Sequence, residues 1–167
     1  MLLVLRFSHV FFGALWVGMM AFQTFFLMPA LAEVGPESGK FMAALMRRRL
    51  PVILPIVALI TLVSGFWLFQ RVSGGAPAGL MRTPMGLAFG SGGLAALLAF
   101  LLGIVVMRPA MMQSTALQQS LASASPEERA TRSAEIQRLR ARGAMTGWVV
   151  MILLLYALGA MAVARYL

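Results

Sequence analysis

His9 is the only imidazole in a chain of 167 residues, and it stands inside a long apolar run. At helical spacing it shares one face with Gly13, Trp16, Met20 and Gln23, at steps of four, three, four and three. A stripe of this kind on a helix in lipid turns toward other helices. Two uses of His9 are open. Neutral imidazole is a common ligand of haem iron and of metals. Gly13, one turn on, would leave room for the edge of a flat macrocycle, and Met20 or Met161 could serve as an axial thioether. The other use is structural, an imidazole near the interface bonded to a neighbouring hydroxyl or to water. The candidate cofactor-binding residues are therefore His9, Gly13, Trp16 and Met20, with His9 as the candidate metal ligand.

The rest of the composition narrows the chemistry. There is no cysteine and no aspartate, and all five glutamates lie outside the apolar runs. Disulfides, thiolate metal sites, a Ser-His-Asp triad, a histidine zinc cluster and an intramembrane carboxylate pair are excluded within one chain. No catalytic residue emerges, and a non-catalytic role is expected. Fourteen methionines could offer soft sulfur to Cu(I). They are scattered over every apolar run and the loops, so they read as gap-fillers. Gly86, Gly90 and Gly93 fall nearly on one face, and Gly143, Gly147 and Gly159 follow later. Small residues let helices approach closely, and they also make flat surfaces for a cofactor or a partner subunit.

The elements that must position these residues are membrane spans. Apolar residues make up 60% and charged residues 11%, against roughly a quarter charged in a soluble domain. Mean hydropathy is +0.87. A soluble globular enzyme and a disordered chain are both excluded. Four apolar runs cover about 2–31, 50–69, 84–107 and 145–164. Each is long enough to cross ~30 Å of hydrocarbon as a helix, where backbone groups must bond internally. The expected fold is all-α, a single membrane domain over 1–167 built as a polytopic four-transmembrane-helix bundle. The first run is about twice the length of a signal-peptide core and is kept as a span.

The net charge of +9 is expected to face lipid headgroups, with no nucleic-acid partner. Lys40, Arg47, Arg48, Arg49, Arg108, Arg129, Arg132, Arg138, Arg140 and Arg142 follow the first and third spans, ten in all. Arg6, Arg71, Arg82 and Arg165 make four at the other end. The positive-inside rule then gives a multi-pass protein of a bacterial cytoplasmic (inner) membrane with both termini periplasmic.

Between the spans, 73–79 is rich in turn residues, and Leu80 and Met81 are expected to dip into the interface. Phe41, Met42, Leu45 and Met46 recur at helical spacing, as a short interfacial helix or an extension of the second span. Ser125-Pro126-Glu127-Glu128 is a helix start with a capping box, predicting a helix over 126–142 that could run into the fourth span. Residues 111–121 are helix-compatible, so a cytoplasmic helical hairpin is expected between the third and fourth spans. No internal repeat is visible.

Leu5-Arg6-Phe7-Ser8-His9, Leu15-Trp16-Val17-Gly18 and Met28-Pro29-Ala30-Leu31 together resemble the first helix of the CopD-like copper-resistance membrane proteins, and the HemJ-type protoporphyrinogen oxidases open similarly. Thr61-Leu62-Val63-Ser64-Gly65 is similar to the end of that family's second helix, and Thr83-Pro84-Met85-Gly86 to the start of its third. The resemblance implies a compact helical membrane unit. In the HemJ-type branch it implies haem b on a first-helix histidine, here His9. The lysine of that family's third helix would fall around Ser91 or Gly92, and this chain has none there. The expected function is thus a CopD-like membrane protein binding haem b or a metal through His9. The alternative is an accessory subunit whose glycine faces pack in a homo-oligomer or a larger membrane complex. Transport is the weakest reading, because no acid lies in a span.

Overall fold

The computed structural model describes the backbone of residues 1–167 and all side chains except those at positions 36 and 122. The described residues are helical and contain no strand. The helices are α1 (Leu2–Val34), α2 (Ser38–Arg47), α3 (Leu50–Val72), α4 (Pro77–Leu80), α5 (Pro84–Ser120) and α6 (Pro126–Tyr166). Four of them, α1, α3, α5 and α6, are long and apolar enough to cross a membrane. α1 packs along α3 and α5 along α6, and contacts of α3 with α5 and of α1 with α6 close the ring.

The centre is built from Trp16 and Met20 of α1, Val57 and Ala58 of α3, Ala95, Ala96 and Ala99 of α5, and Val150, Met151, Leu154 and Ala157 of α6. α5 contributes only alanines to this centre, so its neighbours come close to its backbone. A β-carbon on Gly92 would stand 3.3 Å from Ala160 Cβ and 3.4 Å from the Ala157 carbonyl. Many large apolar side chains turn outward, among them Leu94 and Ile152. That inversion suits a bundle solvated by hydrocarbon, where small residues hold helices together.

Gly86 and Gly90 meet the chain's own outer loop. A β-carbon on Gly86 would fall 1.9 Å from the Leu80 carbonyl, and one on Gly90 2.6 Å from Met81 Sδ. Thr83 fixes this corner, accepting the Gly86 N–H at 3.1 Å and donating to the Leu80 carbonyl at 2.7 Å. Close packing therefore accounts for both glycines. Gly93 faces open space.

α2 is separate from α3, because the turn between them passes through Arg49 in the left-handed region, at φ 59°. Pro51 occupies the first turn of α3, where a missing N–H is harmless. Pro55 has no N–H to give the Pro51 carbonyl. Arg108 Nε supplies the donor instead, at 3.1 Å.

α5 and α6 outrun their apolar segments and stay packed on each other. The capping box at the head of α6 is formed: Ser125 Oγ accepts the Glu128 N–H and Glu128 Oε2 accepts the Ser125 N–H. Gly143 and Gly147 do not interrupt the helix.

Two features lie outside the sequence expectation. α1 contains a π-helical segment, Gln23–Leu27, and α5 contains another, Gly103–Met107. The Met28 N–H reaches back to the Gln23 carbonyl, and the Arg108 N–H to the Gly103 carbonyl. Each segment starts six residues before a proline, Pro29 or Pro109. A proline ring crowds the carbonyl four residues back and has no N–H to offer it. A widened turn just before the ring relieves both problems.

Candidate functional site

His9 turns into the bundle and meets α3. Its Nδ1 lies 2.9 Å from the Thr61 carbonyl. A carbonyl accepts only, so Nδ1 carries the proton in this arrangement, and Nε2 of the neutral ring keeps its lone pair. The ring lies on Gly65, where a β-carbon would stand 2.7 Å from His9 Cε1 and 2.9 Å from Nδ1. The space beside Gly13 holds the Thr61 methyl, 3.4 Å from where a β-carbon would be. Trp16 and Met20 are buried in the bundle centre, at 2% and 1% exposure. Met20 lies eleven residues beyond His9, about 16 Å along the helix axis, so one ion cannot take both. The four sequence candidates share a face of α1 without converging on one point. Among the described residues no group of three or more His, Cys, Asp or Glu side chains converges to hold a metal.

A second place is chemically more distinct. At the basic end of the bundle a cavity of about 560 Å³ opens between α1, α2, α5 and α6. The two π-helical segments stand where its walls leave the bundle centre. Gln23 and Thr24 look into it from α1, at 7% and 6% exposure. Neither side chain hydrogen-bonds another group among the described residues, and their polar atoms are open to the cavity instead of sealed in packing. Gln23 also borders a smaller cavity of about 50 Å³ toward α3. Buried amides and hydroxyls ordinarily find partners within the protein. Here an amide and a hydroxyl, adjacent in sequence, are aimed at open space. Ser114 and Thr115, also on the wall, instead bond the Met111 carbonyl of their own helix.

The π turn explains how α1 continues the lining. A straight α1 would continue the stripe of Trp16, Met20 and Gln23 through Leu27, Ala30 and Val34. Beyond Thr24, itself four residues past Met20, the widened turn moves the stripe by one residue, to Met28, Leu31 and Gly35, all of which line the cavity. Val34 is exposed.

Away from the membrane spans the wall becomes polar. Arg140 donates through Nη2 to Gln118 Oε1, tying α6 to α5. Gly39 of α2 lies against the Gln118 side chain, where a β-carbon would stand 2.8 Å away. Arg140 is the one charged residue among the described residues of the lining, and no acid joins it. Met28, Met42, Met107 and Met111 also line this cavity. Methionines scattered in sequence over α1, α2 and α5 thus line one cavity, which sequence separation had concealed. Of the His9 stripe only Gln23 reaches this place, while Gly143 and Gly147, flagged for flat surfaces, also line it. The available signal was an amide and a hydroxyl side by side in an apolar run, shortly before a proline.

No family model, no curated protein and no solved structure matches this chain.

Proposed function

We propose that this chain is a non-catalytic membrane protein that binds a small amphipathic molecule in the cavity between α1, α2, α5 and α6. The observation that carries the reading is the Gln23–Thr24 pair, more than nine-tenths buried, unpartnered, and open to a cavity of about 560 Å³. That volume falls within the ~300–1,000 Å³ of small-molecule sites, which combine apolar walls with a few placed polar groups. Under the positive-inside rule the basic end is cytoplasmic in a bacterial inner membrane. The α5–α6 extension is then a cytoplasmic hairpin and the termini are periplasmic.

A bulky side chain in the cavity tests this. A β-carbon at Gly143, on the lining, meets nothing within 4 Å. Native mass spectrometry of protein released directly from membranes should show a small-molecule adduct on the wild type that Gly143→Phe lacks. Identical spectra from the two proteins, with both folded, would remove the reading.

A second reading keeps haem b or a metal on His9. It has one observation in its favour: donation from Nδ1 to a backbone carbonyl orients the ring and leaves Nε2 basic, as is usual for ligating histidines. A Soret band in the purified protein, lost in His9→Ala, is the expected result of that reading. A colourless protein after reconstitution with haemin would end it.

A further inference from the structure

The cavity has two polar ends of different character, and the difference selects a ligand charge. We infer that it takes an acidic amphiphile, a carboxylate or phosphate head on an apolar body, with the head on the Arg140 guanidinium. This inference rests on the cavity reading above and adds the charge and the direction of the ligand.

Charge is the first argument. Arg140 brings the one formal charge among the described lining residues, and no carboxylate is there to neutralise it. It donates to the neutral oxygen of Gln118. A guanidinium carries five donors in a planar fork, so one such bond leaves most of them for an oxyanion. Held by Gln118, the fork is already oriented, which reduces the ordering that binding requires. Arg140 is partly shielded, so an ion pair there is screened less than one in open water.

Shape and softness are the second. From Arg140 to Gly147 is seven residues of α6, about 10 Å along the axis. Along that length the wall is mainly apolar, with Met28, Met107 and Met111 on the lining, and the Ser114 and Thr115 hydroxyls are turned back onto the Met111 carbonyl. Unbranched thioethers adapt to a flexible chain better than branched side chains do. At the far end the Gln23 amide and Thr24 hydroxyl can bond a polar atom of the body or the water that follows it. A free inorganic anion would leave this apolar length unfilled. A cationic amphiphile would meet Arg140 with like charge.

The test is a titration of delipidated, detergent-purified protein, read by native mass spectrometry. The probes are palmitate, uncharged 1-hexadecanol and inorganic phosphate. Palmitate should bind saturably, one per chain, and at least roughly tenfold more tightly than hexadecanol. Arg140→Gln should weaken palmitate by a similar factor and leave hexadecanol unchanged. Arg140→Lys should keep the preference for palmitate, and Arg138→Gln, two residues away on the opposite side of α6 and off the lining, should change nothing. Equal binding of palmitate and hexadecanol, both lost in Gly143→Phe, would overturn the charge assignment and leave the cavity reading standing. Phosphate binding as tightly as palmitate would overturn the amphiphile. Binding that never saturates and ignores Gly143→Phe would overturn the cavity reading itself. The comparison of probes on the wild type decides the charge even where an Arg140 variant does not fold.

Discussion

The Gln23 amide is open to the cavity and bonds no group among the described residues, so in the empty protein it must keep water there, which an apolar side chain would not need. An amide or hydroxyl buried with no partner at all costs about 1–3 kcal/mol by mutational measures, and opening onto the cavity lowers that cost. Such a group is retained where something other than the fold uses it. The sign of a substitution follows. Gln23→Leu in delipidated protein should raise the thermal unfolding midpoint, corresponding to a gain on the order of 1 kcal/mol, while ligand retention falls. A lower midpoint would mean that the amide serves the fold and would remove its role in recognition. His9 shows the contrary case, because its ring is already bonded, to the Thr61 carbonyl. Its inward direction was legible, since His9, Gly13, Trp16, Met20 and Gln23 lie on one α-helical face. Thr24, four residues beyond Met20, lies at the edge of that face even in a straight helix, but nothing in the residue types announced the cavity it meets.

The π turn of α1 belongs to an element used twice. Gln23–Leu27 before Pro29 and Gly103–Met107 before Pro109 have the same offset from the ring. Their sequences share only the proline, so no repeat of residue types announces the device. What recurs is the steric problem and its solution. α3 solves the same problem at Pro55 differently, borrowing the Arg108 side chain for the stranded Pro51 carbonyl. The start of α3 is thereby tied to the end of the π segment of α5. A double-mutant cycle checks the tie. Arg108→Ala alone should destabilise by about 1 kcal/mol or less, because the contact is exposed. In a Pro55→Ala background the restored N–H can serve the Pro51 carbonyl, and removing Arg108 should then have almost no effect. Equal effects in both backgrounds, by unfolding in detergent, would show that the arginine acts elsewhere.

For the whole molecule, hydrocarbon is the strictest constraint, and it is written in run length and hydropathy. Four runs of this length must be helices in lipid, and four spanning-length helices are present. A void is written nowhere, because it depends on where long helices diverge. The capping box at Ser125 fixed where α6 begins, yet nothing in residues 126–142 stated that a cavity lies beside them. The large-scale charge pattern bears on which pool of ligand that cavity meets. Ten basic residues stand at the cavity end and four at the end with the termini. If lipid asymmetry and the membrane potential orient the chain, the ten are cytoplasmic. The absence of native cysteine makes this measurable with single introduced thiols. Ser73 lies between α3 and α4, and Ser123 lies between α5 and α6 on the cavity side. An impermeant maleimide on intact bacterial cells, with the outer membrane made permeable, should label Ser73→Cys and leave Ser123→Cys unlabelled until the inner membrane is opened. The reverse pattern would place the cavity on the periplasmic side, where an acidic amphiphile would have to arrive from the envelope instead of from the cytoplasm.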